Sequence, residues 1–253
     1  MPFQFGPLKL CQGMPRIAAS FGSAPALTQL QQFKSIGLDI AEWRLDSLTD
    51  SHQAQMQTDR REFMNLQLNR FASAQLATLV TIRTDSSPQD GTWKGTDAQY
   101  FDWLDTALDC PATDGIDLED HWLTRAPQST EALIAKAHQN RKTLVMSYHN
   151  FERTPDLDQL KEHVARAQDA GADLVKIVTT PKQWSDLDQL TELTICCRKQ
   201  GLVTFAMGAM GAITRISLPA YGSLITFGYV DSNLSIPGQM HLSKLADRLK
   251  ELY

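Results

Sequence analysis

Eight short runs rich in Val, Ile, Leu and Thr recur along this 253-residue chain, and helical spacing follows almost every one of them. The runs read as strands at 16–20, 39–44, 77–83, 115–119, 143–149, 174–179, 202–207 and 224–228. Strands that are apolar nearly throughout are buried on both faces. Parallel pairing then needs crossover connections, which helices supply. Helical stretches fall at 25–36, 53–74, 96–108, 129–140, 157–170, 184–199 and 241–252, with a short candidate at 213–218. Asp97 reads as the cap of the third helix, and Ser129 with Glu131 as the start of the next. Gly37, Gly171 and Gly201 follow helices, where a left-handed C-terminal cap favours glycine. A repeat of about 30 residues, eight times over, fits one closed (β/α)8 barrel, the TIM barrel. An open doubly wound sheet uses the same alternation, but typically with fewer strands. It also calls for a glycine-rich phosphate turn after the first strand, which Gly22 alone does not make.

The α/β barrel is expected to be a single domain over 1–253, because no linker or composition break divides the chain. Apolar residues make up 42% and charged residues 21%, enough for a large core. The net charge of −5, with no basic block, argues against nucleic acid and anionic membranes as partners. Cys11, Cys110, Cys196 and Cys197 form no C-x-x-C pair, which fits a reduced, cytoplasmic protein. Residues 1–10 do not read as a signal peptide, and no apolar run reaches membrane-spanning length. No His, Asp or Glu group has a metal-ligand spacing, so no metal is expected.

In such barrels the chemistry sits at the C-terminal strand ends. Polar residues gather there. The second strand ends Glu42-Trp43-Arg44-Leu45-Asp46, and alternation places Glu42, Arg44 and Asp46 on one face. The third ends in Arg83, the fourth in Asp117-Leu118-Glu119, and the fifth in Ser147-Tyr148-His149. The sixth carries Lys176 inside Leu174-Val175-Lys176-Ile177-Val178. Burial there disfavours the ammonium form and frees an amine that attacks carbonyls. The plain alternative is a lysine reaching solvent along its stem. Together the set offers an amine nucleophile, a general base and anion-binding guanidiniums. Outside it, His138 and His163 read as solvated helix residues, and His52, His121 and His241 as capping or solvent-facing. Adjacent Cys196 and Cys197 read as small core-side residues.

These residues also carry a likeness. Glu42–Asp46 (E-W-R-L-D), Thr81–Arg83 (T-I-R), Asp117–Glu119 (D-L-E), Ser147–Pro155 (S-Y-H-N-F-E-R-T-P), Gly171–Ile177 (G-A-D-L-V-K-I), Gly211–Arg215 (G-x-x-x-R), Thr226–Gly228 (T-F-G) and Ser235–Gln239 (S-I-P-G-Q) follow one another in order. In that order and spacing the sequence resembles type I 3-dehydroquinate dehydratase, over 16–239. The resemblance implies a (β/α)8 barrel and a homodimer without a cofactor. It implies that 3-dehydroquinate loses water to give 3-dehydroshikimate. Lys176 is then the lysine that condenses with the ketone, and His149 the general acid and base. Arg215 clamps the carboxylate, with Gln239 and Ser235 beside it. Glu42, Arg44 and Arg83 hold hydroxyls, and Ser20, Met207 and Phe227 line the pocket. The family pairs its histidine with a glutamate after the third strand. Here that stretch, Arg83-Thr84-Asp85-Ser86-Ser87-Pro88-Gln89-Asp90-Gly91, has none. Asp90, then Asp85, and Glu119 are the candidate substitutes. Phe205 replaces a methionine, Asn150 follows His149 where aspartate is common, and the segment 231–234 lacks lysine. Two other readings share the residues: a Schiff-base aldolase on a similar barrel, and a barrel that binds a ligand or partner without turnover.

Overall fold

A computed structural model of the chain describes residues 3–84 and 91–253. It opens with an antiparallel hairpin, β1 (Phe3–Phe5) and β2 (Leu8–Leu10), which the sequence reading passed over. Eight parallel strands follow: β3 (Arg16–Phe21), β4 (Ile40–Arg44), β5 (Ala77–Thr81), β6 (Gly115–Glu119), β7 (Thr143–Asn150), β8 (Leu174–Thr179), β9 (Leu202–Ala206) and β10 (Ile225–Phe227). Their order is β10-β3-β4-β5-β6-β7-β8-β9. The ring closes where Leu224 N donates to Leu202 O at 3.0 Å and Thr204 N donates to Ser223 Oγ at 2.9 Å. The expected (β/α)8 barrel is therefore the fold.

Strand alternation separates two apolar regions. Along β8, Val175 and Ile177 pack outward among helix residues such as Leu160, Val164 and Leu193. Leu174 and Val178 face inward with Val145, Val203, Phe205 and Phe227. The hairpin belongs to this inner region: Phe5 and Leu10 are buried against it and close the barrel's N-terminal end. The fit is tight enough that a Cβ on Gly115 would stand 3.0 Å from the Phe5 ring. The hairpin turn needs Gly6, whose φ is +50° and whose missing Cβ leaves room for the Asp114 carboxylate.

The helices are α1 (Leu27–Ile36), α2 (Asp50–Thr58), α3 (Arg60–Ser73), α4 (Asp97–Leu108), α5 (Trp122–Arg125), α6 (Pro127–Gln139), α7 (Leu157–Asp169), α8 (Trp184–Cys197), α9 (Gly208–Gly211), α10 (Thr214–Tyr221) and α11 (Leu242–Leu252). The stretch read as one helix at 53–74 is two. Asp59, at φ −131° and ψ 47°, breaks it. Thr96, not Asp97, caps α4 through a reciprocal capping box with Gln99. The α6 helix starts earlier than Ser129, with Pro127 in its first turn, where a missing N–H costs nothing. Cys197 is buried as expected, but Cys196 is exposed. Among the described residues no helix is long and apolar enough to cross a membrane.

Candidate active site

The inward positions of β4 to β8 turn polar toward the C-terminal end, and parallel register brings them level. Glu119 lies opposite Ser147, and Ser147 opposite Lys176. Asp117, fully buried, joins them: it accepts from Arg83 Nη2 at 2.7 Å, Ser147 Oγ at 2.5 Å and Lys176 Nζ at 3.3 Å. Glu42 accepts from Ser20 Oγ at 2.5 Å, Thr81 Oγ1 at 3.2 Å and Lys176 Nζ at 3.3 Å. The lysine is thus not alone among apolar groups. Two carboxylates balance its charge, and the Phe227 ring lies under it at 4.4 Å. The stem does not carry the amine to water, since Lys176 is 4% exposed.

These pairings set the protonation states. Burial pushes the Asp117 carboxyl up, but Arg83 and then Lys176 outweigh it and hold the group well below the usual carboxylate range. Burial acts the same way on Glu42, and Lys176, Arg83 and Arg44 bring it below its ordinary value. His149 is shifted down as well, which for a base favours the neutral form. Burial first, then the nearby Arg83 and Lys176, disfavour the imidazolium and keep the ring neutral far below 6.5. Its Nδ1 is buried with no hydrogen-bond partner among the described residues.

Arg215 comes from α10, fixed by Thr226 Oγ1 donating to its carbonyl at 2.8 Å. Its guanidinium donates from Nη1 to Phe227 O at 3.1 Å and lies 4.5 Å from the Phe205 ring centre. Nε and Nη2 have no hydrogen-bond partner among the described residues, although the residue is 0% exposed. Burial alone pulls this guanidinium down to about 9. Arg44, by contrast, holds Asp46 through Nε at 2.9 Å and Nη2 at 2.8 Å.

The side chains meet in a small cavity of about 30 Å³ lined by Ser20, Glu42, Arg44, Arg83, His149, Lys176, Val178, Phe205, Arg215, Phe227, Leu234, Ile236 and Gln239. A larger hollow next to it shares Ser20 and Leu234, but no lysine or arginine lines it. A lysine side chain, a neutral imidazole and a guanidinium without a carboxylate partner among the described residues therefore converge in the inner cavity. Among the described residues no group of three or more His, Cys, Asp or Glu side chains is placed to hold a metal ion.

The family model described as type I 3-dehydroquinase matches residues 23–253. The chain belongs to that family. A 3-dehydroquinate dehydratase of Methanococcoides burtonii is 33% identical over 231 residues, 91% of each chain. That of Bacillus subtilis is 29% identical over 251 residues, 96% of this chain and 93% of its own. Among solved structures, the type I 3-dehydroquinate dehydratase from Clostridium difficile with covalently modified comenic acid superposes with a TM-score of 0.84. It has 24% identity and covers 99% of this chain and 97% of its own. The Geobacillus kaustophilus 3-dehydroquinate dehydratase gives a TM-score of 0.83 at 23% identity, over 100% and 96%. These two likenesses are of fold.

Set against what the type I 3-dehydroquinase resemblance implied, Lys176, His149, Ser20, Glu42, Arg44, Arg83, Arg215, Phe227 and Gln239 line one cavity. Ser235 does not. Its Oγ donates to Ser232 O at 2.8 Å, and its neighbours Leu234 and Ile236 face inward instead. Met207 is buried in the inner apolar cluster but off the cavity wall. Glu119 accepts from Thr84 N at 3.0 Å and Thr84 Oγ1 at 2.6 Å. Among the described residues no carboxylate hydrogen-bonds His149, and Asp85 and Asp90 lie outside those residues. Asp46 is not the next inward strand position, because β4 ends at Arg44 and a 3-10 turn begins. His163 is not simply solvated: its Nδ1 is 2.7 Å from Asp120 Oδ2 and its ring stacks on Tyr148 at 3.7 Å. Asp117 and Ser147 had no assigned role, yet they knit Arg83 to Lys176. Their inward parity with Glu119 and His149 is the signal that pointed to them.

Proposed function

We propose that this type I 3-dehydroquinase dehydrates 3-dehydroquinate to 3-dehydroshikimate through an imine on Lys176, in a cytoplasmic homodimer and without a cofactor. The observation that carries the reading is one cavity holding Lys176, His149 and the uncompensated Arg215. Arg215 offers two unused N–H edges to a carboxylate, a planar fork suited to bidentate binding. That grip orients the ring of a hydroxylated acid. Glu42, Arg44 and Arg83, already paired, take its neutral hydroxyls.

The Lys176 ammonium gives up a proton, which returns when the carbinolamine hydroxyl leaves as water, while Glu42 and Asp117, each 3.3 Å away, stay ionised and hold the nitrogen in place. The free amine adds to the ketone carbon, and the carbinolamine loses one water to become a protonated imine. That imine is an electron sink. Neutral His149 removes a proton from the adjacent carbon, and the C–H pair moves into the imine as an enamine. The next C–O bond then breaks. The departing hydroxyl takes the proton back from His149 and leaves as water. Hydrolysis of the conjugated imine consumes one water and restores the lysine. The balance is one water lost per substrate.

The test is borohydride reduction of the protein mixed with 3-dehydroquinate, followed by peptide mass analysis. A reduced adduct on Lys176, with ultraviolet absorbance of product in the unreduced sample, is the expected result. No adduct removes the imine route. An adduct without product marks a binding barrel, and an adduct only with phosphorylated sugars marks an aldolase. Light scattering at a mass other than twice that of the chain removes the dimer.

A further inference from the structure

Asp46 touches no part of the cavity, yet it is the centre of a hydrogen-bond set that the reaction does not use. Its side chain is 0% exposed. Oδ1 accepts from Arg44 Nε at 2.9 Å and from Arg83 N at 3.0 Å. Oδ2 accepts from Arg44 Nη2 at 2.8 Å and from Thr92 Oγ1 at 3.0 Å. Ser47 Oγ, donating to Arg44 O at 2.9 Å, holds the turn that brings Asp46 back over Arg44. A guanidinium is flat, so fixing two of its nitrogens fixes its plane. The pair is also neutral as a unit, whereas Arg215 is not compensated.

We propose that Asp46 is a positioning residue for substrate binding. It holds Arg44 in one plane as a charge-cancelled donor to neutral oxygens, leaving Arg215 as the receptor for the substrate carboxylate. This rests on the reading of the cavity given above. Arg44 lines the cavity and is the side chain through which Asp46 acts, while the bond from Arg83 N ties Asp46 to the backbone after β5. The bond from Thr92 Oγ1 gives Asp46 a second, purely structural use, and the two uses separate by mutation.

Steady-state kinetics with 3-dehydroquinate on Asp46→Asn, Arg44→Ala, the double variant and Thr92→Val make the test. Asp46→Asn is expected to raise KM about 10- to 100-fold, with kcat within about threefold of the parent. In the Arg44→Ala background the same change should add nothing to KM, since the residue it acts through is gone. Thr92→Val should leave KM unchanged. If Asp46→Asn does not fold, Asp46→Glu replaces it. Its displaced carboxylate should give the same KM rise, again absent without Arg44. Additive effects of the two substitutions, or a Thr92→Val variant that reproduces the KM rise, overturn the proposal. Borohydride trapping on the parent protein judges the imine reading by itself. The KM ratios among variants judge Asp46.

Discussion

Asp117 meets Arg83 edge to edge, with Nη2 2.7 Å from Oδ2 and Nη1 3.3 Å from Oδ1, and neither side chain is more than 1% exposed. Such a pair is expensive to break, because Arg83 stays buried while its nearest carboxylate is lost, and its contacts to Glu42 at 3.9 Å and Glu119 at 3.8 Å are longer. Asp117→Asn should therefore lose about 3–5 kcal/mol of stability by urea denaturation. A loss below about 1 kcal/mol would mean the pair is solvated in a way its burial contradicts.

The same carboxylates make the fold acid-sensitive. Asp117 and Glu42 both titrate below their ordinary values of 3.8 and 4.5. Depressed folded values mean that the unfolded chain binds protons first. Their contribution is complete above about pH 4.5 and disappears as acid carries the pH down through the folded values. Denaturation midpoints measured from neutrality downward should fall steeply there.

His149 adds an earlier, separate effect on activity. Its folded value lies well below 6.5, so the base is neutral throughout the neutral range. The acidic limb of kcat/KM should lie clearly below 6.5. An inflection at or above 6.5 would remove His149 as that base. Its stability contribution has the same sign: full above 6.5, diminishing as the pH falls below it. His149→Ala should cut kcat about 10²- to 10⁴-fold while the borohydride adduct on Lys176 still forms.

Arg215→Met separates binding from folding. The guanidinium has two unpartnered nitrogens at 0% exposure, and an apolar side chain of similar length removes that liability. The thermal midpoint should stay level or rise. KM should rise at least about 100-fold, because a charge-assisted pair with the substrate is gone. A variant that keeps its KM would place the carboxylate elsewhere.

Phe5→Ala tests the far end of the barrel. Emptying a fully buried aromatic position should cost about 3–5 kcal/mol in chemical denaturation. The kcat of the remaining folded protein should change little, since Phe5 packs at the end opposite the polar cluster.

The barrel strands were legible because a strand buried on both faces writes itself as a continuous apolar run, as Leu174 to Thr179 does around a single lysine. The β1–β2 hairpin was not, because two strands of three residues give no period to detect. Nor was the break at Asp59, where no glycine or proline interrupts the helical spacing. At the site, Lys176, His149 and the arginines stood out as charged or polar groups at strand ends. Asp117 also ends a strand, but its service as the shared partner of Arg83 and Lys176 depends on how neighbouring strands lie side by side. The place of Ser235 off the cavity wall was not legible, because its loop turns its hydroxyl onto Ser232 after a 3-10 turn, where no alternation rule applies. His163 owes its partner to Asp120, 43 positions away.

The hairpin that stoppers the base of the barrel leaves the polar end as a cul-de-sac. Reactant, product and the expelled water must all use one doorway, and nothing can be flushed through from behind. On the proposed reading, product held by Arg215 occupies the place the next substrate needs, so product should inhibit competitively.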